Sequence, residues 1–215
     1  MQKLASSLTE KMIHMPETGM GYQIVTATYR DHRQRNAIVL NCSLIEPIIG
    51  DAQQLIKTLL SEDIQFTEKT ASYAEDIIDV TLRDLPSIFK AIQFNESLAA
   101  QNASVSYSIS DELFIRFSVF LNDHRITGNQ GLLPGTYATT YHDAQLCLAR
   151  RDDPRARYAL PNPIPVKYAF QIEPPAMTRL RRGIVQPANN QPGGGEEVIF
   201  INGSPAHTVT NIFTL

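Results

Sequence analysis

The sequence predicts an α+β protein, with a small N-terminal α+β unit at 1–104 and a β-rich, twisted-sheet unit at 105–215. Composition changes near residue 122, since ten of the 13 prolines and eight of the 11 glycines fall after it. Apolar residues at helical spacing are concentrated in the front part, whereas the back reads as short β-branched and aromatic runs joined by Gly- and Pro-rich loops. At 215 residues, with 43% hydrophobic and 19% charged residues, the chain has the makeup of an ordinary globular protein and the length to bury a core.

Taken in order, Tyr22–Tyr29 and Ala37–Leu40 are two apolar runs separated by the charged stretch 30–35, which predicts a hairpin with a solvated turn. Ala52, Leu55, Ile56, Leu59 and Leu60 recur at helical spacing behind Asp51, a suitable N-cap. The stretch 74–80 is short and ambiguous, and 85–92 predicts a helix entered through Pro86. Phe114–Leu121 is a strand broken only by Arg116 and Ser118, with Arg116 expected to point outward. A turn at Gly131–Gly135 leads into a short strand near Tyr137. Residues 168–172 alternate as a strand does, and Val198–Ile201 reads as a buried strand.

Several function classes are excluded at this level. A net charge of −3 gives no basic face for nucleic acid. The arginines at 150, 151, 155, 157, 179, 181 and 182 make the back part locally basic, which suits a small anion better than a duplex. Cys42 and Cys147 form no CxxC pair, and the five histidines form no HExxH or HxH arrangement, so no zinc site or disulfide framework is indicated and no metal or cofactor is expected. The N-terminus lacks an apolar signal region and no stretch approaches 18 apolar residues. The expectation is a protein without a membrane span, either cytoplasmic or exported by a route that needs no signal peptide.

Chemistry is carried by the back part. Gln191-Pro192-Gly193-Gly194-Gly195-Glu196-Glu197 precedes the apolar run at 198–201, setting carboxylates at the mouth of a strand beside a backbone that a ligand can approach closely. Upstream lie Asp123-His124-Arg125, Gly135-Thr136-Tyr137, Arg157-Tyr158-Ala159-Leu160-Pro161 and Tyr168-Ala169-Phe170-Gln171-Ile172. Each has a plain structural explanation: Arg125 ending a strand toward water, Tyr137 as a core aromatic with a surface hydroxyl, Arg157 paired with Asp152 or Asp153. Ser118 is not in a GxSxG elbow, so no serine triad is read from Asp123 and His124.

The order and spacing of these elements resemble the NAD-glycohydrolase domain of the tuberculosis necrotizing toxin family, with fungal surface NADases and ADP-ribosyltransferase toxins as more distant likenesses. The resemblance covers roughly 114–202 and is most specific from Gly183 to Glu197. It implies cleavage of the nicotinamide–ribose bond of NAD or NADP by Glu197 as the catalytic residue. Arg125, Tyr137, Arg157, Tyr168 and Gly193, Gly194 and Gly195 would bind the substrate, with no metal and no cofactor. It also implies an antidote protein as a possible partner. Departures from the family pattern are a longer stretch between Arg125 and Tyr137, one extra residue after Arg157, Tyr168 in place of histidine, and Glu197 in place of glutamine. The carboxylate at 197 keeps ADP-ribose transfer open beside hydrolysis, and the substitutions keep an inactive nucleotide-binding module open.

Overall fold

A computed structural model describes residues 1–47, 74, 76–82, 100–160 and 165–215. The fold is β-rich α+β, built on two antiparallel sheets. The first has five strands in the order β1-β4-β3-β2-β5: β1 (Gln2–Lys3), β2 (Tyr22–Tyr29), β3 (Gln34–Leu40), β4 (Leu44–Pro47) and β5 (Ile77–Leu82). The second has seven in the order β12-β9-β7-β8-β11-β10-β6: β6 (Ala100–Tyr107), β7 (Phe114–Ser118), β8 (Thr136–Thr140), β9 (Tyr168–Ile172), β10 (Arg179–Val185), β11 (Glu196–Phe200) and β12 (Val209–Thr214). Three helices accompany them among the described residues: α1 (Ser6–Ile13), α2 (Tyr141–Ala149) and α3 (Pro154–Arg157).

The hairpin expected near residues 21–45 is β2–β3, with Tyr22 opposite Leu40 and Thr28 opposite Gln34. Its charged turn is exposed, and His32 takes a left-handed φ of 63° there. The helices expected at 51–62 and 85–92 lie outside the described residues. The back part contains two helices where only strands and loops were expected. Both begin with a side-chain cap, Thr140 accepting from the Asp143 amide and Asp153 accepting from the Arg155 amide.

Strand β7 is central and buried on both faces. Phe114 packs edge-on against Phe200 at 5.4 Å, while Phe117 stacks on Tyr158, also at 5.4 Å. Arg116, expected to point outward, is 0% exposed. A buried guanidinium is tolerable only when its charge and its donors are matched. Arg116 Nε donates to Asp123 at 2.9 Å, and its two terminal nitrogens donate to the Glu17 carboxylate at 2.9 and 2.8 Å. Burial opposes the charge on Arg116, but Asp123 and Glu17 outweigh it and hold the guanidinium protonated.

The same groups repair a break in the sheet. The β7–β8 ladder covers two residue pairs, Phe114 with Thr140 and Ile115 with Thr139, and then opens. Beyond the opening the Tyr137 amide donates to Glu17 Oε2 at 3.0 Å, and the Tyr137 carbonyl accepts from Arg116 at 2.8 Å. Backbone groups that a neighbouring strand would satisfy are thus satisfied by an ion pair. Glu17 belongs to the segment after α1, so this pair also fastens the N-terminal part to the second sheet. A second fastening is the β3–β4 turn, where Asn41 bonds the Asn122 carbonyl and the His124 amide.

Replacing Arg116 leaves two carboxylates buried without their counter-charge. Arg116→Met is expected to lower unfolding free energy by about 3–5 kcal/mol, the typical cost of breaking a buried pair from one side. Urea denaturation of the full chain checks it, and in the double variant Arg116→Met/Glu17→Gln part of the loss should be recovered.

Candidate functional site

The chain turns sharply before β11. Gly193 and Gly194 have φ of +67° and +92°, the left-handed region that glycine enters without strain. Space dictates glycine as well: a Cβ on Gly193 would lie 2.6 Å from the Val185 carbonyl oxygen, and one on Gly195 would lie 2.6 Å from the Tyr158 ring. All three amides are used internally. Gly193 donates to the Ala156 carbonyl at 3.0 Å, Gly194 to Val185 at 2.8 Å and Gly195 to Arg157 at 3.0 Å. The glycines therefore do not cradle a ligand with their N–H groups. They bring the α3 segment against the β10–β11 hairpin, and so set the wall of a recess.

Glu197 lies at that recess. It is 4% exposed, and in register it stands opposite Gly183 of β10, a position with no side chain to crowd it. The β10–β6 pairing slips at Gly183, a bulge that bends the strand beside the carboxylate. Alternation puts Glu197 on the face of Ile199 and Tyr137, which pair across β11 and β8. Besides Glu197 and Glu196, the recess is lined by Gly19, Met20, Tyr22, Tyr158 and Val185, among others. Its cavity of about 20 Å³ has room for roughly one water molecule.

The tyrosines around Glu197 are held protonated. Burial and then the Glu197 charge raise the Tyr137 hydroxyl well above its ordinary value, and Tyr22 is pushed up to about 12, chiefly by burial. Tyr158 is raised by burial and by Asp143, to which it donates at 2.9 Å.

Asp143 is the hub of the flanking network. Its carboxylate accepts from Arg157 at 3.0 and 2.5 Å, from the Tyr158 hydroxyl, and from the Glu196 amide at 3.2 Å. Burial alone would raise the carboxyl, but these donors hold it below the usual carboxylate range. Arg157 thus pairs with Asp143, and only at 3.9 Å with Asp152, rather than with the expected Asp152 or Asp153 alone.

The residues expected to bind substrate are only partly gathered here. Arg157 flanks the glycine turn, its Cγ 3.0 Å from where a Gly195 side chain would start. Tyr137 shares the Glu197 face but is buried, its hydroxyl 3.5 Å from the Thr18 carbonyl rather than at the surface. Tyr168 lies on β9 opposite Ser118 and Thr214 and does not line the recess. Arg125 is also elsewhere and does not face water. Its guanidinium is 0% exposed and donates to the carbonyls of Ile13 and Met15 at 2.8 Å each, to that of Pro134, and to Thr136 Oγ1 at 3.3 Å. With four of its five N–H donors committed to the protein, Arg125 pins the segment after α1.

Sequence reasoning missed Tyr22, Met20 and Gly19 because they come from the front part, in which no motif for chemistry was found. It missed Asp143 because no turn signal marked the start of α2. The available clue was Thr140 three residues before Asp143, an N-cap pairing.

A larger concavity of about 380 Å³ lies between the 121–130 loop and β12, lined by Leu121, Asn122, Ile126, Phe170 and Asn211 among others. Its one titratable lining group, Asp123, is bound by Arg116. Among the described residues, no three His, Cys, Asp or Glu side chains gather to hold a metal, and no helix is long and apolar enough to cross a membrane. Neither a family model, nor a curated protein, nor a solved structure matches this chain.

Two expectations follow. Arg125→Ala should lower unfolding free energy by about 3 kcal/mol by orphaning buried carbonyls, read as a drop in Tm. Asp143, with its folded pKa depressed below an unfolded value of about 4, adds stability that is present above that value and is lost as pH falls through the folded one. The loss in denaturant midpoint between pH 6 and pH 3 should be smaller in Asp143→Asn than in the wild type.

Proposed function

We propose that this protein hydrolyses the nicotinamide–ribose bond of NAD or NADP, with Glu197 as the catalytic carboxylate. The observation that carries the reading is the placement of Glu197: buried at the start of a central strand, facing a recess walled by Tyr22 and Tyr158, opposite a glycine at a bulge. Bond cleavage at C1′ leaves positive charge on the ribose while nicotinamide departs as a neutral molecule, so no acid is required. A carboxylate removed from water stabilises that charge far more than an exposed one. Water then adds to C1′, giving ADP-ribose (or its 2′-phosphate) and a proton. Arg157 is the guanidinium beside the recess and the candidate for the pyrophosphate. Such an activity consumes a nucleotide the producing cell needs, which is the chemical reason to expect an antidote protein or export.

The rival reading is a non-catalytic module. Its supporting observation is the size of the cavity, about 20 Å³, far below the 300–1,000 Å³ typical of sites for small ligands. Incubating the full chain with millimolar NAD and resolving the products by chromatography separates the cases. Free nicotinamide with ADP-ribose supports hydrolysis, ADP-ribose attached to protein supports transfer, and no nicotinamide release supports the module. Under the hydrolytic reading Glu197→Gln should reduce turnover roughly 10²–10³-fold with Tm little changed, and Arg157→Ala should act mainly on KM.

A further inference from the structure

The N-terminal part of the chain supplies one side of the recess. Gly19-Met20-Gly21-Tyr22 forms a tight turn, closed by the Tyr22 amide donating to the Gly19 carbonyl at 3.1 Å. Gly21 at its third position has φ +85°, the left-handed value that a type II turn requires. Gly19, Met20 and Tyr22 line the recess together with Glu197. Met20 is 5% exposed and packs in the apolar cluster of the second sheet, with Phe117, Tyr137, Tyr158, Val185 and Ile199. Among the described residues of that cluster it is the only one from the N-terminal part.

The turn is anchored on both sides, and Gly21 between them is held as well, its amide donating to Glu17 Oε1 at 3.0 Å and its carbonyl accepting from the Asn41 amide at 3.1 Å, while the Met20 side chain rests in apolar packing. On one side Glu17 is locked by Arg116 and the Tyr137 amide. On the other, the Gln23 side chain donates to the carbonyls of Met12, Met15 and Pro16 at 2.9, 3.0 and 3.3 Å. Between these anchors a methionine stands between two glycines. Methionine is unbranched and repacks at low cost, and glycines allow the backbone to swing.

We propose that this turn is a built-in lid, with Met20 as its plug, and that the site at Glu197 opens only when Met20 withdraws while Glu17 and Gln23 stay in place. The inference rests on the reading of Glu197 as the catalytic group and names how that site is regulated. The closed arrangement leaves room for about one water, so a dinucleotide enters only the open one. Affinity for substrate is then reduced by the fraction of molecules that are open.

The test separates the lid from the chemistry by placing a thiol at the site. Cys42 and Cys147 are buried and their thiols are raised, to about 12 and about 11, chiefly by burial, so they give a low background. In full-length Glu197→Cys, reaction of the new thiol with a disulfide reagent should be slow. Adding Met20→Ala should accelerate it about tenfold or more. Adding Gly19→Ala should do so too, since a Cβ there would lie 2.4 Å from the Tyr22 ring and displace that ring or the turn, both of which line the recess, without cutting a core side chain. Ile172→Ala, in the core cluster of the sheet's other face, reports general loosening. If both lid variants react no faster than the Ile172→Ala control, the lid is refuted. The same lid substitutions with Glu197 intact are assayed for NAD cleavage. A thiol that is exposed only in the lid variants, with no cleavage in any variant, keeps the lid and removes the NAD reading. Cleavage rising about tenfold alongside exposure supports both.

Discussion

Glu17 and Arg116 meet where a seven-stranded sheet would otherwise come apart. Strands β7 and β8 share two rungs and then diverge, and the amide and carbonyl of Tyr137 face the gap. Two side chains of opposite charge fill it, one from the strand on its flank and one from a segment outside the sheet. Asp123 completes the arrangement, its carboxyl held low against burial by Arg116. Arg125 adds a second positive charge, accepting the opposite task of satisfying carbonyls of the incoming chain. Two arginines and two carboxylates are thus buried together in charge balance, which is the condition under which such groups can leave water at all.

That arrangement fixes what the neighbouring recess can be. It sets the segment after α1 across the second sheet and so carries Met20 and Tyr22 to Glu197. On the opposite wall, Asp143 gathers Arg157, Tyr158 and the Glu196 amide, and the glycine turn closes against the Tyr158 ring. One wall is tied by charge and hydrogen bonds into a rigid unit. The other is tied too, through Glu17, the Gly21 amide and carbonyl and the start of β2, and its Met20 side chain packs among apolar neighbours. An unbranched thioether is the part of such a wall that repacks at least cost.

The strands of the sheet were legible wherever apolar residues ran together. Tyr22–Tyr29 and Tyr168–Ile172 appear as read, and the strand read at Phe114–Leu121 appears as the shorter Phe114–Ser118, because local patterning and final burial agree there. Strands β6 and β10 were not read, since Ala100–Tyr107 is largely polar and Arg179–Val185 carries three arginines. Both lie toward one edge of the sheet, where pairing rather than an apolar face holds the chain. At the site, Glu197 was readable from its place after the glycines. The uses of Arg116 and Arg125 were not, because a lone arginine in a sequence looks the same whether it meets a ligand, water or a distant backbone carbonyl. The partners that decide the matter, Glu17 for Arg116 and Ile13 and Met15 for Arg125, lie 99 and more residues away.

Such separations bear on how the molecule is made. Glu17 lies 99 residues before Arg116 and 120 before Tyr137. On a ribosome its carboxylate emerges long before either group it will serve, and must remain hydrated until the middle strands exist. Contacts so remote in sequence carry a loop-closure cost that rises slowly with separation, and a large share of them slows folding. Until Glu17 docks, the amide of Tyr137 lacks the partner it has in the folded chain. For this chain, assembly is a matter of the beginning waiting for the middle.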